Sequence, residues 1–86
     1  ASVSILITDN TGIQDFNRSY LNCDRPTSVI SFPMQEGELI RGDKTFLGDI
    51  VVSAEMAFSV AGETGYTSEE ILLFYLIHGI LHLCGY

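Results

Sequence analysis

Two histidines near the end of the chain have the clearest capacity for chemistry. His78 and His82 are four positions apart in an apolar stretch, so a helix would stack their imidazoles on one face. One helix can offer two ligands to a zinc ion in this way, and a catalytic zinc site normally takes three protein ligands and one water. The alternative is a pair of hydrogen-bonded core histidines. Gly79 stands where His-Glu-x-x-His proteases have their glutamate base, which argues against proteolysis.

A capping box places these histidines on a helix. Thr67 and Glu70 have the spacing of an N-cap residue and its N3 partner, which predicts a helix from about Ser68 to Leu83. The helix is apolar on most sides, so we expect it to lie centrally, covered by a sheet and neighbouring helices. A glycine in a helix interior costs about 1 kcal/mol of stability. Close packing against a neighbour, or room beside a metal, would explain why Gly79 is present.

The rest of the chain predicts short strands and helices. Alternating apolar residues, turn residues and a serine cap mark their positions. The predicted elements are a strand over 3–8, a turn at 9–12, a helix over about 12–21, strands over 28–32 and 47–52, a solvated loop over 35–44, and a helix from the Ser53 cap to about 61. This order predicts one α/β (α+β) domain over 1–86, with a small mixed sheet of about three strands packed on the central apolar helix.

Composition narrows the class of protein. With 86 residues and 47% hydrophobic content, the chain is expected to fold as a single small domain. The longest apolar run, 71–77, is too short to cross a membrane, and the first residues lack the basic region of a signal peptide. Cys23 and Cys84 are too few for a disulfide scaffold, which indicates a cytoplasmic protein. Cys84 follows His82 by two residues, so we expect a buried thiol there and not a third ligand.

The charge distribution is uneven. The formal net charge is −7, which disfavours a simple nucleic-acid binder because phosphate contacts supply most of the affinity. All four basic residues, however, lie between positions 18 and 44. If RNA binds, we expect its phosphates at the first half of the chain. Ordinary surface charge is the alternative interpretation.

Four segments together resemble a known family. They occur in the order Asn17–Tyr20, Arg25–Pro33, Leu47–Ser53 and His78–Tyr86. Their residues and spacing resemble the YbeY family of bacterial, single-domain, metal-dependent endoribonucleases. The resemblance runs from about Val3 to Tyr86. Family members also carry a strand and helix before this stretch and a helix after it, so the resemblance implies a fragment of such a domain or a naturally shortened relative.

The resemblance implies a function for the intact protein. That function is zinc-dependent, single-strand endoribonuclease activity in ribosomal RNA maturation and ribosome quality control, with RNA and the ribosome or ribosomal proteins as partners. His78 and His82 would bind the metal, with a third histidine two positions beyond Tyr86. The implied candidates for substrate binding are Arg18, Arg25, Thr27 and Ser31. Asp49 matches the family's Gly-Asp and would orient a histidine ligand through a hydrogen bond. The alternative is a carboxylate at the edge of a strand, without a role in the site.

Some residues depart from the family pattern. Leu21 stands where the family usually has an arginine implicated in activity, and Ser28 stands where it has Asp or Asn. Leu21 and the absence of the third histidine from this sequence both favour an alternative, which is a non-catalytic relative that binds RNA or the ribosome. A hydrolase of another substrate on the same site is a further alternative.

Overall fold

A computed structural model describes residues 2–33 and 46–85 of this chain. The predicted loop over 35–44, with Arg41 and Lys44, lies outside the described residues. The elements follow the predicted order: β1 (Ser2–Thr8), α1 (Asn10–Leu21), β2 (Val29–Pro33), β3 (Phe46–Ser53), α2 (Ala54–Thr64) and α3 (Ser68–Leu83). The α+β class and the three-stranded mixed sheet predicted from the sequence are confirmed.

The sheet has the strand order β1-β3-β2. β1 runs parallel to β3, with Ile5 opposite Ile50, and β2 runs antiparallel to β3, with Ser31 opposite Ile50. Because side chains alternate along a strand, Ile5, Ile50 and Ser31 share one face of the sheet, and their neighbours in sequence share the other. The register of the three strands therefore decides which residues meet each layer of helices.

One face of the sheet carries α1. Ile13 of this helix is fully buried against Ile30 and Val51, and Phe16 and Phe32 complete the cluster. Asp9 is the N-cap, and its carboxylate accepts a hydrogen bond from the Gly12 N–H at 2.7 Å. This cap starts the helix at Asn10, inside the turn predicted over 9–12 and before the predicted helix start near residue 12.

The opposite face of the sheet carries α3, with α2 beside it. Ile50 and Val52 of β3 are fully buried on this side. Ala57 of α2 and Ile71 of α3 are almost fully buried. The predicted capping box of α3 is confirmed, since the Thr67 hydroxyl accepts from the N–H of Glu70 and the Glu70 carboxylate accepts from the N–H of Thr67. These bonds fix the start of the helix, and hence which of its sides meets the sheet.

Gly79 is the point of close approach between α3 and the sheet. An added Cβ there would lie 3.0 Å from Cγ2 of Ile50 and 3.2 Å from Oγ of Ser31. The Ser31 hydroxyl also donates a 3.0 Å hydrogen bond to the Gly79 carbonyl. Close packing thus accounts for a glycine in the interior of this helix.

Two expectations about burial need correction. The side of α3 that faces away from the sheet is only partly covered by the described residues. Tyr66 packs edge to face on Phe74 there. The side chains exposed on this side are Leu73, Phe74, Ile77, Ile80 and Leu81. Cys84 is exposed as well. It is the C-cap residue of α3, at a helix end where the following Gly85 is exposed too. Within residues 2–33 and 46–85, no helix is long and apolar enough to span a membrane.

Replacing Gly79 with valine is expected to lower the free energy of unfolding by about 1–3 kcal/mol, because the new side chain must push α3 away from Ile50. Gly62 of α2 offers a matched control, since nothing lies within 4 Å of a Cβ built there. Gly62→Val should change stability by only a few tenths of a kcal/mol. Urea unfolding followed by circular dichroism measures both. Equal losses in the two variants would contradict the close packing.

Candidate functional site

The two histidines of α3 lie side by side, as the sequence predicted. The ring centroids of His78 and His82 are 5.0 Å apart with the ring planes inclined by 68°. Both side chains are exposed, because they lie at the margin of the helix face that meets the sheet. Two imidazoles on successive turns are suited to bind one zinc ion.

An open cleft joins these histidines to α1 and β2. Its volume is about 550 Å³. It is lined by Asn17, Leu21, Cys23, Arg25, Pro26, Thr27, Val29, Ile30, Ser31, His78 and His82. This histidine cleft has no carboxylate among its lining residues, although the chain has a formal net charge of −7. An anion in this cleft therefore meets no carboxylate among the residues that line it.

Three of the predicted substrate-binding residues lie in the histidine cleft. Arg25 enters it from the loop after α1, Thr27 lines it from the end of that loop, and Ser31 lines it from β2. Arg25 is exposed and forms no ion pair with any residue that the structure describes. Its guanidinium is thus available to a ligand in the cleft. The role of these three residues in binding substrate stays a prediction.

Arg18 lies outside the histidine cleft. Its guanidinium donates to the carboxylate of Asp15 at 2.7 Å and lies 3.8 Å from that of Asp24. All three side chains are more than half exposed, so this pairing contributes little to stability. It nevertheless directs the positive charge of Arg18 toward carboxylates. The structure therefore does not bring Arg18 to the histidines.

Asp49 lies on the opposite face of the sheet from the histidines. Ile50, the next residue, contacts the helix at Gly79, so the alternation of the strand turns Asp49 the other way. There it lines a second cleft with the aromatic rings of Phe16, Tyr20 and Phe32. The structure does not place Asp49 where its side chain would reach His78 or His82.

Sequence reasoning assigned no role to Asn17, yet it lines the histidine cleft and is only 7% exposed. Its side-chain amide donates to the Arg25 carbonyl at 2.9 Å. Its position four residues after Ile13, on the buried stripe of α1, was the available signal. A polar residue on such a stripe needs a hydrogen-bond partner, which here is the loop that carries Arg25.

The described residues do not form a complete metal site by themselves. In the ranges 2–33 and 46–85, no group of three or more His, Cys, Asp or Glu side chains could hold a metal ion. His78 and His82 fit two positions of a zinc site, and Cys23 and Cys84 do not complete it. A third ligand from outside these ranges would be required.

Comparisons with known proteins agree with the resemblance in the sequence. A family model described as "Endoribonuclease YbeY" matches residues 1–86. The chain belongs to the YbeY family. It is 49% identical over 86 residues to a protein named "Endoribonuclease YbeY" from Syntrophotalea carbinolica, covering all of this chain and 57% of that protein. The protein of the same name from Geobacter metallireducens is 46% identical, with the same coverage.

A solved structure supports the same assignment. The solution structure of TM1509 from Thermotoga maritima superposes with a TM-score of 0.68 at 34% identity. The match covers 98% of this chain and 51% of that protein. This chain thus spans a little over half the length of the YbeY proteins and of the structure that it matches.

The bond between Ser31 and Gly79 is expected to stabilise the floor of the histidine cleft. Ser31→Ala should lower the free energy of unfolding by about 1 kcal/mol, because it removes a half-buried bond between β2 and α3. Thr64→Ala is the matched control, since its hydroxyl donates to the Val60 carbonyl at 2.9 Å within one exposed helix end. It should cost clearly less. Urea unfolding of both variants tests the difference, and an equal or larger loss in Thr64→Ala would contradict it.

Proposed function

We propose that this chain forms the metal- and phosphate-binding part of a zinc-dependent endoribonuclease that cuts single-stranded RNA in ribosomal RNA maturation and ribosome quality control. The observation that supports it best is the histidine cleft, where two adjacent imidazoles and Arg25 share a space without lining carboxylates. The printed name of the relatives, "Endoribonuclease YbeY", supports the reaction class. RNA and the ribosome or ribosomal proteins are the proposed partners, in the cytoplasm.

In this proposal, His78 and His82 hold zinc together with a histidine from beyond Tyr86. Zinc bound there would lower the pKa of a coordinated water or polarise a phosphoryl oxygen. The imidazoles must be neutral to bind the ion, so zinc binding at this site would compete with protons.

The other residues of the histidine cleft would hold the RNA. Arg25 can donate two parallel hydrogen bonds to a phosphate, which fixes both its position and its orientation. Ser31 and Thr27 offer hydroxyls along the floor, and the proton of Ser31 is directed to the Gly79 carbonyl. The Ser31 oxygen is therefore free to accept a bond, for instance from a ribose hydroxyl. A single strand of RNA suits this site, because its flexible backbone can bring a phosphate into the cleft.

A second candidate function is binding of RNA or the ribosome without cleavage. Leu21 favours it, since this side chain is exposed in the histidine cleft where the family resemblance expects an arginine. Leucine cannot donate a hydrogen bond to a phosphate. The zinc content of the natural protein separates the two candidates, since a non-catalytic relative has no need of a metal.

Replacing either His78 or His82 with alanine, in the protein at its natural length, is expected to remove zinc and RNA cleavage together. Each variant leaves too few ligands for a stable zinc site, while the apolar helix still folds. Cys84→Ser is the matched control, because this exposed thiol follows His82 closely and has no proposed role. Elemental analysis and cleavage of a single-stranded RNA measure both properties. Cleavage at full rate in the histidine variants, with chelator present, would remove the metal from the mechanism.

Replacing Leu21 with arginine is expected to raise RNA cleavage in the same protein. A second guanidinium in the histidine cleft would accelerate cleavage roughly tenfold if it recovers about 1.4 kcal/mol of transition-state stabilisation. Leu21→Met is the control, since it alters the side chain without adding charge. The rate of cleavage at saturating RNA measures the effect. An unchanged rate for Leu21→Arg would show that position 21 does not approach the reacting phosphate.

A further inference from the structure

Arg25 is the only lysine or arginine among the described residues that lines the histidine cleft. It lies in the loop between α1 and β2, so its position depends on how that loop is held. The loop leaves α1 through Asn22, whose φ of 55° places it in the left-handed region. This sharp turn brings the chain back toward α3.

One residue holds the loop at three points. The Asn17 carbonyl accepts the N–H of Asn22 and also that of Cys23, the latter at 3.1 Å. The Asn17 side-chain amide donates to the carbonyl of Arg25 itself, at 2.9 Å. The two backbone bonds end the helix and would form with most residues at position 17. The third bond requires an amide side chain at this position.

The environment of this third bond gives it weight. Asn17 is only 7% exposed, so the Arg25 carbonyl would lose a sheltered partner if the amide were removed. A second side-chain bond joins α1 to the same loop, from Nε2 of Gln14 to Oδ1 of Asp24 at 3.0 Å, but it is exposed. Water can replace the bond of Gln14 more easily than the bond of Asn17.

We infer that Asn17 is a positioning residue for Arg25, and that its amide sets the affinity of the histidine cleft for RNA phosphates. The inference rests on the proposed function. Arginine has large rotamer freedom, so a phosphate contact forms readily only when the backbone that carries the side chain is fixed. By holding the Arg25 carbonyl, Asn17 removes backbone freedom at that residue before RNA arrives.

A double-mutant cycle on RNA binding tests this role. The measurement is the affinity of the protein, at its natural length and loaded with zinc, for a single-stranded RNA whose 2′-O-methyl groups resist cleavage. The affinity is recorded against salt concentration for Arg25→Ala, Asn17→Ala and the double variant, each well below its unfolding temperature. Affinity falls as salt rises, and loss of one phosphate contact should make the slope of log affinity against log salt shallower by about 0.7.

We expect Asn17→Ala to make this slope shallower in the same way as Arg25→Ala. The double variant should bind like Arg25→Ala alone. Gln14→Ala, the matched control, should leave the slope unchanged. A role of Asn17 in stability alone would not change the slope. If Asn17→Ala does not fold, Asn17→Leu nearly keeps the side-chain shape, removes the amide donor and adds no charge, and it should give the same result.

Three outcomes would overturn the inference. Additive effects of the two substitutions would show that Asn17 acts independently of Arg25, as would an unchanged slope in Asn17→Ala. An equal effect of Gln14→Ala would assign the result to general loosening of the loop. In these cases the proposed function still stands. If instead Arg25→Ala itself leaves the slope unchanged, Arg25 holds no phosphate, and the phosphate-binding part of the proposed function fails together with the inference.

Discussion

The close approach of α3 to the sheet at Gly79 is the constraint on which the histidine cleft depends. Because the glycine has no side chain, Ile50 and Ser31 can touch the helix backbone directly. The side of α3 that faces the sheet is thereby fixed, and the two histidines, on either side of Gly79 in sequence, are carried to the edge of that contact. A larger residue would lift the helix and change the distance from the imidazoles to β2. The site therefore depends on packing within the core as much as on the identity of the ligands.

The same contact explains which parts of the fold could be predicted from sequence. The capping box at Thr67 and Glu70 is a local signal, so the bounds of α3 could be read from neighbouring residues alone. The strand that contains Asp49 could also be predicted, but not the direction of that carboxylate. Its direction depends on which neighbour packs against α3, and only the contact of Ile50 with Gly79 decides this. Side chains alternate between the two faces of a strand, and only tertiary packing decides which face each set of side chains takes.

Charge shows a similar division between local and long-range information. The sequence placed Arg18 and Arg25 in one basic region, and both were equal candidates to hold phosphate. The structure separates them, because Asp15 is three residues before Arg18 on the same helix and accepts its guanidinium. That pairing follows the i, i+3 spacing and could have been anticipated. The position of Arg25 in the cleft could not, since it requires the left-handed turn after α1 and a bond from a buried asparagine.

The sheet separates two environments with different chemistry. At the β2 edge of the sheet, between α1 and α3, the histidine cleft has imidazoles, hydroxyls and one arginine, and its lining residues include no acid. On the side of α1, the second cleft combines Asp49 with a cluster of aromatic rings, of which Tyr20 and Phe32 meet edge to face at 5.4 Å. An anion is favoured only in the first of these, because Asp49 would repel it from the second. An acidic chain can therefore offer a place for a phosphate without a basic surface, since no described acid lines this one small cleft and a bound metal would add positive charge.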